Sequence, residues 1–336
     1  MRIILVGLGA LGQGLLHHLD AREGHLLDAY GLRMKIVAAL DTSGAVVRPS
    51  GIEPSVLLKS KHGREGLSSL QPWFRPGRRA LEIIHTVDAD TIVEVTPTNI
   101  LDGEPAMSHI RGALKARRHV VTANKGPIVL AMHYLASLAE EQGVMLRFSG
   151  TVGGGTPMLD LARVNLRGDR VTKIEGIVNG TTNFILTRMG EGLEFDEALL
   201  EAQKHGYAEA NPEYDVKGID AGIKLAILAN WTMGAKLRVT DVSTQGIDHL
   251  TRSEVKRARD QGKVIKLVAS YDGERASVEP RHLPIEDPLN VSGVLNAVTY
   301  TTEQVGPITL IGKGAGGRET AAALLRDLID IHLRTR

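Results

Sequence analysis

The sequence contains no cysteine, which excludes disulfides, thiolate zinc sites and a cysteine nucleophile. That absence fits a reducing compartment. Aromatic residues make up only 4% of the chain, and none is interleaved with the basic clusters Arg75, Arg78 and Arg79 or the tail residues Arg334 and Arg336. Those clusters therefore read as solvated loops and helix ends rather than a nucleic-acid surface. Excess charge of one sign is also missing: 40 Lys and Arg stand against 39 Asp and Glu, a formal net charge of +1. No apolar run reaches the ~18 residues of a membrane helix, and the nearest candidate, Ile219 to Met233, carries Asp220 and Lys224. The N-terminus enters a strand-like run at once, with no basic segment and small-residue cleavage site, so no signal peptide is expected. The 12 histidines are scattered, and neither spacing nor neighbours make a metal-ligand set. These absences predict a soluble cytoplasmic protein.

The composition is 43% hydrophobic and 24% charged, that of a globular chain long enough for two domains. Arg2 to Val6 is a short apolar run that passes directly into Gly7-Leu8-Gly9-Ala10-Leu11-Gly12. Helical spacing of Leu11, Leu15, Leu16 and Leu19 follows. Strand, glycine turn and helix in this order are the context that a dinucleotide-binding fingerprint requires. Gly7 permits the tight turn, Gly9 lets backbone approach a pyrophosphate, and Gly12 lets the helix pack close to the strand. The second strand, Lys35 to Leu40, ends in Asp41, an acid placed to accept hydrogen bonds from an adenosine ribose. Its separation from Gly12 exceeds the usual ~20 residues, which a first helix running on toward Tyr30 accounts for. Arg48, Lys59 and Lys61 lie close enough in sequence to meet a 2′-phosphate, so both NAD and NADP remain open.

After a surface excursion from Lys59 to Gly77, strands and helices alternate up to a strand ending at Phe148. This pattern predicts a doubly wound parallel sheet of Rossmann type with both faces covered. Ligands of such sheets sit beyond the carboxyl ends of the strands, which places the loops at Thr96-Pro97-Thr98-Asn99 and Thr122-Ala123-Asn124-Lys125 beside the cofactor. Lys125 is then a cation at a strand end where a negatively charged or carbonyl substrate arrives, the alternative being an ordinary surface lysine.

The glycine-rich stretch from Ser149 to Pro157 marks a change of pattern. Strands now pair with neighbours while helices group together, as in an α+β domain. The expected organisation is a Rossmann domain of residues 1–149 plus a C-terminal helix, 314–336, and a substrate and dimerisation domain of residues 150–313. The final helix follows Gly312-Lys313-Gly314-Ala315-Gly316-Gly317, a second glycine-rich turn suited to approaching an anion.

Within the second half, Gln203 to Lys224 reads QKHGYAEANPEYDVKGIDAGIK. It places Glu209, Asp215, Asp220 and Lys224 on a turn-rich entry into a helix, and Asp220 and Lys224 share one helix face. Taken alone, this is equally an exposed i,i+4 ion pair worth about 0.3 kcal/mol.

Six stretches, GLGALGQG, VVTANKGP, SGTVGGGTP, GIVNGTTNFIL, GYAEANPEYDVKGIDAGIKLAILA and GKGAGGRETA, together resemble the homoserine dehydrogenases in the family's own order. The resemblance implies reversible NAD(P)-dependent reduction of aspartate 4-semialdehyde to homoserine, in the pathway to threonine, methionine and isoleucine, by a homodimer. By this resemblance Glu209, Asp215, Tyr207 and Thr182 hold substrate, and Lys224, Lys125 and Asp220 are the catalytic group. Gly7, Gly9, Leu11, Gly12, Asp41, Thr96, Pro97, Lys125, Gly316 and Thr320 line the cofactor. A sodium ion held by backbone carbonyls is implied at Ser149, Val152, Gly154 and Thr156. Asn211 departs from the family, in which an aspartate is common before the proline. The chain ends soon after the last glycine-rich helix, so no C-terminal regulatory domain is expected. Two other readings are a dehydrogenase of another small aldehyde or hydroxy acid and a non-catalytic NAD(P)-binding sensor.

Overall fold

A computed structural model describes residues 1–335, and Arg336 lies outside the described residues. The chain divides into two compact units, the first formed by Met1–Thr151 and the chain from Gly316 onward, the second by Val152–Ala315.

The first unit runs β1 (Arg2–Val6), α1 (Ala10–Tyr30), β2 (Lys35–Asp41), β3 (Gly44–Ile52), α2 (Pro54–His62), β4 (Phe74–Pro76), α3 (Ala80–Thr86), β5 (Thr91–Glu94), α4 (Ala106–Lys115), β6 (His119–Thr122), α5 (Lys125–Glu141) and β7 (Leu146–Arg147). Its sheet has the order β4-β3-β2-β1-β5-β6-β7. β2, β1, β5, β6 and β7 are parallel, and β3 and β4 extend the edge antiparallel. β1 and β2 are apolar runs buried on both faces, as parallel sheets require, and β5 is buried throughout although it begins at Thr91 and ends at Glu94. α1 extends to Tyr30 and stops at Gly31, whose left-handed φ of 59° lets its N–H reach Leu26 and Leu27 carbonyls.

The edge strands depart from the sequence expectation. β4 lies inside the stretch read as a surface excursion. β3 carries Pro49, Ser50 and Gly51 and alternates poorly, so its backbone ladder leaves little trace in side-chain pattern.

The second unit continues with α6 (Met158–Asp160), β8 (Val171–Ile177), α7 (Gly180–Gly190), α8 (Phe195–Lys204), α9 (Glu213–Val216), α10 (Ile219–Thr232), β9 (Ser243–Thr244), α11 (Arg252–Asp260), β10 (Lys263–Tyr271), β11 (Ala276–Pro284), β12 (Leu295–Thr302) and β13 (Gly306–Lys313). Its sheet order is β13-β12-β8-β10-β11-β9, antiparallel except for β9 on β11. α10 is buried from Asp220 to Asn230 without interruption, so it is a core helix rather than a surface one. α12 (Gly317–Arg334) then returns to the first unit, where Leu324, Leu328 and Ile331 join the core around Ile3, Leu5 and Leu15.

Candidate active site

The turn after β1 is shaped by close approaches that only glycine permits. Gly7 has φ +107°, and a Cβ there meets the Val95 carbonyl oxygen at 2.7 Å; a Cβ on Gly12 meets the Gly7 oxygen at 2.2 Å. Both positions bring helix, strand and neighbouring strand end together. Gly9 differs, because a Cβ there meets no protein atom within 4 Å. α1 starts at this open point with no side-chain cap and no acid in its first turn. Its first amide groups therefore lack a side-chain acceptor beside open space, the arrangement that receives a phosphate. This is the fit that a dinucleotide pyrophosphate needs.

At the end of β2, Asp41 accepts from the Ser43 amide at 2.9 Å and pairs with Lys61 Nζ at 2.7 Å. Partial burial works against its ionisation, but Lys61 and Ser43 outweigh it and hold the carboxyl below its ordinary value. Arg48, on β3, lies 4.3 Å above the ring of Trp73, the residue before β4, a cation–π contact. The start of α12 closes the same end of the unit: a Cβ on Gly317 would meet the Ala10 Cβ and carbonyl oxygen at 3.5 Å. Gly316 begins this helix with Glu319 in its first turn, and Thr320 behind it is buried.

The carboxyl ends of β5 and β6 are tied together. Glu94 is fully buried; its carboxylate accepts from the Thr96 amide and hydroxyl, and its carbonyl accepts from the Thr122 hydroxyl at 2.8 Å. Asn124 donates to the Thr96 and Pro97 carbonyls at 3.1 and 3.2 Å and caps α5 by accepting from Gly126. Lys125 is thus the first residue of a capped helix, fixed at the strand ends.

In the second unit the structure decides between the two readings of the Asp220 and Lys224 pair. Their charged ends are 2.7 Å apart and both side chains are 10% exposed, so the pair is not a solvated surface bridge. Lys224 Nζ also donates to the Val178 carbonyl at 2.7 Å. Asp220 stands in the first turn of α10, where the helix dipole favours a carboxylate. Asp215, on α9, is linked to Asp220 through one amide: Asn179 Nδ2 donates to Asp215 at 2.6 Å and to Asp220 at 2.9 Å. Burial, and the neighbouring Asp220, push the Asp215 carboxyl up, while Asn179 and Lys224 pull it back without cancelling the rise. Thr182 completes the group, with its amide and hydroxyl donating to Asn179 Oδ1 at 2.9 and 3.0 Å.

The structure therefore brings Asp215, Asp220, Lys224 and Thr182 into one hydrogen-bonded cluster. Tyr207 sits at its margin, 43% exposed, stacked on His205 and joined to α7 by the Thr181 hydroxyl, which donates to its carbonyl at 2.6 Å. Glu209 is not part of the cluster: it is exposed, and its carboxylate makes no hydrogen bond or ion pair among the described residues. The residue that sequence reasoning missed is Asn179. The Asn179-Gly180 pair reads as a turn, yet asparagine directly before a helical run is also an N-cap signal, and the side chain does cap α7.

A dinucleotide-type sheet with an open glycine turn, together with a unit carrying a buried lysine among carboxylates, defines the class as NAD(P)-dependent oxidoreductase. A family model described as homoserine dehydrogenase matches residues 157–329. The chain is 40% identical to a homoserine dehydrogenase of Methanocaldococcus jannaschii, covering 100% of both chains. It is 41% identical to an NAD(+)-dependent homoserine dehydrogenase of Pseudomonas canavaninivorans, covering 98% of this chain and 96% of the relative. It also resembles the solved structure of a hyperthermophilic archaeal homoserine dehydrogenase in complex with NADPH, with a TM-score of 0.87, 29% identity, and coverage of 99% of this chain and 98% of the other. The chain belongs to the homoserine dehydrogenase family.

Proposed function

We propose that the first unit with α12 is the nicotinamide dinucleotide domain and the second the substrate and dimerisation domain. In this reading the buried cluster around Asp220 and Lys224 carries out the interconversion of L-homoserine and L-aspartate 4-semialdehyde. The bound nicotinamide supplies or accepts the hydride. Reduction of the aldehyde builds negative charge on oxygen, which needs a positioned cation or proton donor. Lys224, oriented by Asp220 and the Val178 carbonyl, gives its proton to that oxygen directly or through one water, and takes it back in the oxidation. Lys125 stabilises the same charge. Asp215 and Glu209 pair with the substrate ammonium, and Tyr207 and Thr182 border that subsite. The observation that carries this reading is a lysine buried with one carboxylate in contact and a second held beside it by Asn179.

The dinucleotide contacts are assigned to Gly7, Gly9, Leu11, Gly12, Asp41, Thr96, Pro97, Lys125, Gly316 and Thr320. Asp41 suits a ribose 2′-hydroxyl and Lys61 suits a 2′-phosphate, so the proposal includes both NAD and NADP. The relatives named for NAD(+) and solved with NADPH support that breadth. Carbonyls of Ser149, Val152, Gly154 and Thr156 are assigned to a sodium ion; the left-handed Gly153 and Gly154, at φ +83° and +54°, favour a turn that directs carbonyls to a hard cation. Raising sodium against tetramethylammonium at constant ionic strength should then raise the melting temperature, and no change removes the assignment. The protein is further assigned to the cytoplasm as a homodimer, and light scattering on the purified chain checks the dimer.

The decisive assay is oxidation of L-homoserine at alkaline pH, following reduced cofactor with NAD and NADP in parallel. Turnover with either supports the assignment. Measurable cofactor binding without turnover on homoserine overturns it.

A further inference from the structure

A cavity of about 270 Å³ in the second unit is lined by α7, α11, the start of β10 and the chain at 285–292. Lys266, from β10, lines it and is 4% exposed. Its Nζ donates to Asn183 Oδ1 at 2.9 Å and to the Val291 carbonyl at 2.5 Å. Both acceptors are neutral, and among the described residues Lys266 has no carboxylate partner. An ammonium has three donors, so one is left over. Asn183 Nδ2 itself donates to the Val291 carbonyl at 3.1 Å, so joining the two does not need an ammonium, whereas a buried cation without a counter-ion is costly.

The rest of the lining adds positive charge. Arg259, on α11, and Lys263, at the start of β10, are both exposed and line the cavity. Arg259 Nη1 donates to the Gly190 carbonyl at 2.5 Å, and Lys263 makes no ion pair among the described residues. The carboxylate in the lining, Glu191, is taken by Arg188, which also bonds Glu201 at 2.9 Å. Three basic residues thus line a cavity whose one lining carboxylate, Glu191, is engaged.

We propose that this cavity binds a small anion whose carboxylate or phosphate oxygens accept the remaining Lys266 donor and pair with Arg259 and Lys263. Burial lowers the Lys266 pKa to about 8, and a bound anion acts in the opposite direction, restoring the charged form.

The test is isothermal titration calorimetry of the full chain, saturated with NADPH, using inorganic phosphate in one arm and acetate in the other. Three variants accompany the wild type: Lys266→Met, the double variant Arg259→Ala with Lys263→Ala, and Lys236→Ala as an exposed lysine outside the lining. Binding of phosphate, acetate or both, weakened about tenfold or more by the first two variants and unchanged by the third, supports the site. The arm that binds identifies the anion chemistry. If Lys266→Met does not fold, the double variant on exposed positions decides alone. Absence of binding in both arms, or affinity unchanged in the folded variants, overturns the proposal.

Discussion

The ammonium of Lys224 lies 2.7 Å from the carboxylate of Asp220, with both side chains 10% exposed. At that depth each charge depends on the other, because the desolvation already incurred is offset only by the partner. Lys224→Ala is expected to lower kcat by about 10²- to 10⁴-fold, the range of a lost general acid or base. It leaves Asp220 buried without its cation and should destabilise the fold by about 3–5 kcal/mol. Steady-state kinetics at several homoserine concentrations, with a melting curve on the same sample, read both effects. A kcat near wild type with only KM raised would assign Lys224 to binding and not to proton transfer.

Asn179 holds two carboxylates with one nitrogen, at 2.6 Å from Asp215 and 2.9 Å from Asp220. Hydrogen bonds to charged groups are worth about 1.5–3 kcal/mol, so Asn179→Ala should reduce kcat/KM for homoserine about tenfold or more. Asn179 lowers the raised pKa of Asp215, and its loss raises that pKa further. The acid limb of kcat/KM is then expected to move to higher pH, since Asp215 must be ionised to hold an ammonium. A uniform loss of activity with an unmoved limb would show that Asn179 matters only for folding.

Gly9 and Gly12 separate the demands of ligand and fold. An alanine Cβ at Gly9 meets no protein atom, whereas at Gly12 it meets the Gly7 carbonyl oxygen at 2.2 Å. Gly9→Ala should keep the wild-type melting temperature and lose most of its affinity for NAD and NADP, measured by quenching or calorimetry. Gly12→Ala should fold poorly or melt several degrees lower. Unchanged cofactor affinity in Gly9→Ala would place the pyrophosphate elsewhere.

Lys61 and Asp41 form a partly buried pair at 2.7 Å, which the proposed cofactor site puts where NAD and NADP differ. Lys61→Ala is expected to raise KM for NADP about tenfold, with a smaller change for NAD, in parallel assays. Equal losses with both cofactors would mean that Lys61 serves only to hold Asp41. The pair also predicts a pH effect on stability. The folded carboxyl titrates below its ordinary value, so its contribution is present above the unfolded value and lost as pH falls through the folded one. Acid melting curves of wild type and Lys61→Ala should therefore converge at low pH.

Local chemistry made much of this protein legible in its sequence. Gly7 and Gly12 after β1 are dictated by backbone clearances of under 3 Å that a side chain does not satisfy. The apolar runs of β1 and β2 announce strands buried on both faces, and the motif around Asp220 is specific enough to point to a family. Tertiary structure alone decided the rest. An i,i+4 Asp and Lys look identical on an exposed or a buried helix, and only the packing of α10 on every side shows that Asp220 and Lys224 are desolvated. Asn179 reads as a turn residue until α9 and α10 bring Asp215 and Asp220 to its amide. The outer pairs β3 and β4 in the first sheet, and β12 and β13 in the second, are held by backbone ladders that side-chain patterning records weakly. Burial of Lys266 is likewise invisible in sequence, because whether a lysine meets water or carbonyls depends on what the remainder of the chain packs around it.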